Sequence, residues 1–305
     1  MKYNTFLVAL LLMGTASFTS CEKAIIEDDD TASVTQKGTG TTNQKNSGGN
    51  VVLRVSGFVQ RPFDDQTTRS VIDLTNYCTR LNFVVYKDGT KVKGLSQKQE
   101  DGGFGEVSME LEPGTYKLLV LAHSSVGGNP VVSDPENISF TNALGYSDTF
   151  SYYDDLEVTS ETKTHSLTLS RNVSLLRFTI NDSFPADVKY MHFYYTGGSG
   201  VLNAVTGYGG NVNSKQEKLV NVSTFSAPLT FNLYTFLQQD EATLKVRVSA
   251  LSSDQKTVIA ERTFDNVNMK HCMVTEYTGY FFDTRNSFSI SAETDWGNPY
   301  EHVDY

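Results

Sequence analysis

The chain is poor in the residue types that metal, redox and thiol chemistry need. Its 305 residues include three cysteines, five histidines and one tryptophan. Three cysteines cannot make a disulfide scaffold. His123, His165, His192, His271 and His302 form no HExxH pair, and no two cysteines make a CxxC, so neither a zinc site nor a dithiol site is written in the spacing. Basic residues are also scarce, 25 Lys and Arg against 35 Asp and Glu, for a net charge of −10. That balance argues against nucleic acid as a partner and against a polybasic grip on membrane. Helical periodicity of useful length is missing too. Gly197-Gly198-Ser199-Gly200 lacks the spacing of a nucleophile elbow, and Gly207-Tyr208-Gly209-Gly210 lacks the lysine of a phosphate loop. Adjacent carboxylates such as Asp64-Asp65 and Asp154-Asp155 would point to opposite faces of a strand, and no DxDxDG calcium loop is present. The reading is a non-enzyme with no cofactor and no metal.

What the chain does have begins at its N-terminus. Lys2 precedes an unbroken apolar run, Phe6 to Met13, and then the small residues Gly14-Thr15-Ala16-Ser17 lead to Phe18-Thr19-Ser20-Cys21. A basic start, a short apolar core and a small-residue cleavage site describe a secretory signal peptide over residues 1–20. The run is far below the ~20 residues that span a bilayer. A cysteine directly after the cleavage site is how a bacterial lipoprotein is marked, its thiol taking a diacylglycerol. Phe18 and Ser20 stand where a strict lipobox has leucine and alanine or glycine. Cys21 is therefore the expected lipidation site, and the lipid the expected attachment to the outer membrane. Loss of Lys2 with the signal takes the net charge from −10 to −11.

Residues 21–50 read as a disordered acidic tether. Glu27-Asp28-Asp29-Asp30 is followed by Thr, Gly, Asn, Gln and Ser with almost nothing to bury. From Val51 the pattern turns to period two, the signature of half-buried strands. Val51, Leu53 and Val55 alternate with polar neighbours, Leu81–Tyr86 runs into the turn pair Asp88-Gly89, and Val107, Met109 and Leu111 share one face. Tyr116 to His123 is nearly continuous in apolar residues, as a central strand would be. Residues 124–160 read as loop-rich and aromatic, their rings plugging the end of a sandwich or forming a binding surface. A second set of strands begins at Thr164 and continues to about residue 292, with Ser252–Gln255 a hairpin. The expected fold is all-β, two antiparallel β-sandwich domains at 51–160 and 161–305. Cys78 and Cys272 fall in strand-like sequence far apart and read as buried free thiols.

Several of these stretches together resemble the fimbrillin-like family of Bacteroidetes surface lipoproteins, and in particular its minor, anchoring subunits. They are the lipoprotein start, the strand Val51-Val52-Leu53-Arg54-Val55, the pair Val107–Leu111 and Tyr116–Ala122 joined by Glu112-Pro113-Gly114-Thr115, and the stretch Leu167–Phe178 with Arg171 at its centre. The resemblance implies tandem transthyretin-like sandwiches, assembly into a fimbria on the cell surface by β-strand addition, and adhesion. It also implies that stalk subunits lose their first strand by cleavage after an arginine, for which Arg61 and Arg69 are the candidates here, while anchors keep their lipid. Pro62 after Arg61 obstructs most proteases, whereas Arg69 sits in a polar stretch. Fimbrial subunits are then the expected partners. The alternative is a freestanding outer-membrane lipoprotein that binds a host glycan or protein, with Tyr152 and Tyr153 as a platform.

Overall fold

The chain divides into two units, Met1–Thr39 and Gly40–Tyr305. The computed structural model describes residues 50–59, 73–141, 145–210, 215–283 and 288–293, all in the second unit. Cys21, Arg61, Arg69, the tether up to residue 49 and Trp296 lie outside the described residues.

Eight strands form before residue 172: β1 (Val51–Val59), β2 (Arg80–Lys87), β3 (Thr90–Lys98), β4 (Glu106–Met109), β5 (Gly114–His123), β6 (Ile138–Ser139), β7 (Thr149–Val158) and β8 (Lys163–Arg171). Ten follow: β9 (Ser174–Ile180), β10 (Tyr190–Thr196), β11 (Val201–Asn203), β12 (Tyr208–Gly209), β13 (Gln216–Asn221), β14 (Leu229–Thr235), β15 (Glu241–Leu251), β16 (Val258–Lys270), β17 (Val274–Gly279) and β18 (Ser289–Glu293). A single 3-10 turn at Leu74–Asn76 is the helical element among the described residues. The fold is all-β, as the alternation predicts.

The first sheet runs β3-β2-β5-β7-β8-β1-β4. Its β7 and β8 pair at one end only, Phe150 with Arg171 and Ser151 with Ser170. Past that corner the sheet doubles over, so that β2, β5 and β7 face β8, β1 and β4. Phe83, Leu118, Val120, Leu156, Leu167, Leu53 and Met109 fill the space between as one buried cluster. In the second half, β13-β10-β15-β16 and β14-β9-β17-β18 enclose another cluster around Phe178, Phe193, Leu233 and Val248. A third cluster joins the two halves. Val84, Leu119 and Leu121 leave the opposite face of β2 and β5 and meet Leu175, Tyr234 and Val274 of β9, β14 and β17. That explains why Leu81–Tyr86 and Leu118–His123 are nearly continuous in apolar residues, since both faces of these strands are covered.

The hairpins follow their turn residues. Asp88 and Gly89 both take positive φ (51° and 78°) between β2 and β3, as a two-residue primed turn requires. Between β15 and β16, Gln255 takes a φ of 58° and the Asp254 carboxylate accepts from the backbone N–H groups of Lys256 and Thr257. Four backbone and hydroxyl donors in all hold that carboxyl well below the usual carboxylate range.

Two features depart from the sequence reading. Thr149–Val158 is a ten-residue strand inside the stretch read as loop-rich. Its Tyr-Tyr-Asp-Asp centre breaks alternation because Tyr152 packs on the first cluster and Tyr153 on the third. Second, β8 hydrogen-bonds in the first sheet, parallel to β1, although sequence groups it with residues 161–305. Alternation reveals which face of a strand is buried but not which strand lies beside it. The β9–β17 pair is parallel as well.

Two buried polar groups, Arg171 and His123, are held by specific partners. Arg171 at the end of β8 is buried and makes a two-pronged bond to Asp148, Nε to Oδ1 at 2.8 Å and Nη2 to Oδ2 at 2.6 Å. Its guanidinium lies 4.7 Å from the Phe150 ring centroid. The Arg171 carbonyl accepts from the Cys272 thiol, and the Cys272 N–H donates to the Ser174 hydroxyl. The crossing from the first sheet to β9 is thus fastened on both sides. His123 is fully enclosed on β5. Its Nδ1 accepts from the Ser125 N–H at 3.2 Å, so Nε2 carries the proton and donates to Asn82 Oδ1 at 2.9 Å. Asn82 in turn donates to Ser96 and Asn129.

Two stability predictions follow from these pairs. Arg171→Ala strips the part-buried Asp148 carboxylate of its partner and should lower the unfolding free energy by roughly 2–3 kcal/mol, read by urea denaturation. Burial holds the His123 imidazole down at about 4. The unfolded state therefore binds the extra proton first, and stability should fall as pH drops from about 6.5 to 4, by on the order of 3 kcal/mol. His123→Gln should flatten that part of the pH profile, measured as denaturation midpoints at neutral and acid pH.

Candidate functional site

The described residues offer little for catalysis. No group of three or more His, Cys, Asp or Glu side chains gathers among them in a way that could hold a metal ion. Cys78 and Cys272 are free and buried, and burial pushes both thiols up to about 12, far from a reactive thiolate. Tyr152 and Tyr153 leave β7 on opposite faces, so they do not combine into one platform. The rings of 124–160 instead pack on one another. Phe140 lies 5.5 Å from Phe236, 5.7 Å from His123 and 6.4 Å from Tyr146, and Phe150 is fully buried. They plug the space between the two halves.

The feature with functional content is the first strand. β1 is not at an edge. It lies between β8, which it parallels from Val51–Lys163 to Val59–Ser170, and β4, which it opposes from Val51–Met109 to Arg54–Glu106. The first strand among the described residues thus fills a slot whose two walls, β4 and β8, come from later sequence. Alternation decides what the slot receives: Val51, Leu53 and Val55 are 1%, 0% and 5% exposed. Burying three such side chains contributes about 1.5–3 kcal/mol each, roughly 5–9 kcal/mol together as an upper figure. Whole domains are stable by only about 5–15 kcal/mol. An empty slot is therefore close to unfolding, and some strand must occupy it.

Both ends of β1 are fixed. At its start, the Asn50 carboxamide bridges the neighbouring segments. Nδ2 donates to the carbonyls of Leu111 (2.7 Å) and Thr159 (3.1 Å), Oδ1 accepts from the Leu111 N–H (2.9 Å), and the Asn50 carbonyl accepts from the Lys163 N–H (3.0 Å). In the middle, Ser56 and Gly57 bulge against β8, and the Ser56 hydroxyl donates to the Leu167 carbonyl at 3.1 Å. Near the far end Phe58 stacks on Tyr77 at 4.6 Å and meets Phe150 edge-on at 4.7 Å. The Arg54–Glu106 ion pair, 2.7 Å long, is on the solvent side and contributes little. Residues 60–72, which include Arg61 and Arg69, connect this strand to the rest of the chain.

Sequence reasoning found the apolar face of β1 and missed Asn50, which it placed in the tether. An asparagine ahead of a strand ordinarily reads as a loop residue, and its three side-chain bonds reach segments more than sixty positions away. Arg171 stood out as a motif residue, but its carboxylate partner was not visible in the chain order.

Comparison with known proteins adds the family. No curated protein matches the chain. Among solved structures it is similar to a candidate adhesin from Bacteroides ovatus, at 16% identity over 75% of this chain and 88% of that one, with a TM-score of 0.46. It is similar to a candidate polysaccharide-binding protein from Bacteroides thetaiotaomicron, at 7% identity over 81% and 99% with a TM-score of 0.47. A fimbrial assembly protein from Parabacteroides distasonis is 13% identical over 80% and 97%, with a TM-score of 0.40. The model of a family of unknown function, DUF6562, matches residues 43–304, which takes in every strand described above, and the chain belongs to that family.

Proposed function

We propose that this protein is a cell-surface lipoprotein, held in the outer membrane through lipid on Cys21, that serves as an anchor or accessory subunit of a fimbria, assembles by β-strand addition and contributes to adhesion. The observation that carries this reading is the enclosure of β1. A strand whose apolar face completes a core, and which is joined to the rest by one connecting segment, is the element that a foreign strand can replace. Strand addition supplies backbone hydrogen bonds for affinity and pockets under alternate side chains for specificity. The pockets here are those of Val51, Leu53 and Val55.

Anchor and stalk roles differ in what happens to β1. Cleavage after Arg69 would detach β1 from the later chain and open its slot to a donor. Retention of the lipidated N-terminus keeps the slot filled and ends a filament at the membrane.

The deciding measurement is intact mass on protein from the native outer membrane and from sheared filaments. An acylated N-terminal Cys21 in membrane material that carries filaments is the expected result. A mass beginning at Ser70 in the sheared fraction would instead identify a processed stalk subunit. An acylated form that never accompanies filaments would sink the fimbrial role and leave a freestanding binder of a host glycan or protein.

A further inference from the structure

The slot does not treat all strands alike, and Asn50 is the residue that makes the difference. We infer that Asn50 is a latch that biases the slot toward the chain's own first strand, and that a foreign strand must carry asparagine at the same place to displace it. This rests on the strand-exchange reading above.

The hydrogen-bonding pattern carries the inference. Among the described residues, every other polar contact along β1 is a backbone bond, which any strand could reproduce, or the exposed Arg54–Glu106 pair, with the exception of the Ser56 hydroxyl on Leu167. The Asn50 side chain alone reaches past the two flanking strands' ladders. It satisfies both the N–H and the C=O of Leu111, beyond the end of β4, and the C=O of Thr159, between β7 and β8. A carboxamide both donates and accepts, and these three bonds use both functions at once. A donor headed by alanine would fill the apolar pockets equally well yet leave those three part-buried backbone groups without this partner. The partner that fits is a strand with asparagine, then aliphatic residues at alternate positions, then a small pair at the bulge where Ser56 and Gly57 stand. For the anchor, the consequence is a slot that stays closed to ordinary donors.

The test uses the full chain refolded from urea with labelled ten-residue peptides, so that the strand and the competitor equilibrate. One peptide repeats residues 50–59, and the other has alanine in place of its first residue. Bound peptide is measured by fluorescence anisotropy on wild type and on Asn50→Ala and Asn50→Asp. The expected result is about tenfold weaker uptake of the alanine-headed peptide, and about tenfold greater uptake of the asparagine-headed peptide by Asn50→Ala than by wild type. Asn50→Asp, which sets a carboxylate oxygen against the Leu111 and Thr159 carbonyls, should take up the asparagine-headed peptide at least as well as Asn50→Ala. The peptide comparison on wild type needs no variant to fold. Equal uptake of both peptides overturns the latch and leaves strand exchange standing. Entry of neither peptide into any of the proteins overturns strand exchange at this slot, and the latch with it.

Discussion

The structure depends on a strand that is first in sequence being enclosed late in topology. β1 has no partner until β4 and β8 exist, and β8 arrives more than a hundred residues later. Parallel pairing over such a separation carries a large loop-closure cost and is slow to form. What offsets that cost is the burial of Val51, Leu53 and Val55 together with two complete ladders. The same arithmetic supports the proposed exchange of β1. An element added last to a preformed slot can be replaced by another with the same pattern, whereas β5, wedged between β2 and β7 and buried on both faces, cannot be removed without losing two cores.

The junction between the halves is a second consequence of the same topology. Since β8 closes the first sheet and the chain enters β9 only three residues later, the two sandwiches are held close at one point. Arg171 sits at that point. Its charge is neutralised by Asp148, its guanidinium covers Phe150, and its carbonyl accepts from Cys272. Fixing the corner there lets Leu175, Tyr234 and Val274 meet Leu119 and Leu121, so a polar anchor sets the register of an apolar joint. A buried ion pair adds little net stability over a hydrophobic substitute, but its fork geometry tolerates one arrangement.

Much of this was legible in the sequence, and the parts that were not have a common cause. Alternation gave the apolar faces of β1 and β4, the Asp-Gly pair gave the β2–β3 hairpin, and a nearly continuous apolar run marked β5 as central. Those signals are local, since each depends on neighbours one to four residues away. The sheet to which β8 belongs, the partner of Arg171 and the role of Asn50 all depend on contacts at long separation, which one sequence does not encode in any local pattern. β7 was obscured for a different reason. It packs against two cores at once, so Tyr152 and Tyr153 are both partly buried and the two-residue period disappears.

In the proposed anchor role, force gives Asn50 a further meaning. Any pull between a lipid at Cys21 and a filament held by the sandwiches would load β1 from its N-terminal end, where Asn50 directly precedes the strand. A strand pulled along its own axis loads its ladder bonds together in shear, and the load is shared along its length. A strand lifted from one end breaks them in turn. By tying the start of β1 to Leu111 on one side and Thr159 on the other, the Asn50 carboxamide opposes that end-first peeling where it would begin. The contact that discriminates between strands is then also the one that keeps an attached subunit from losing its own.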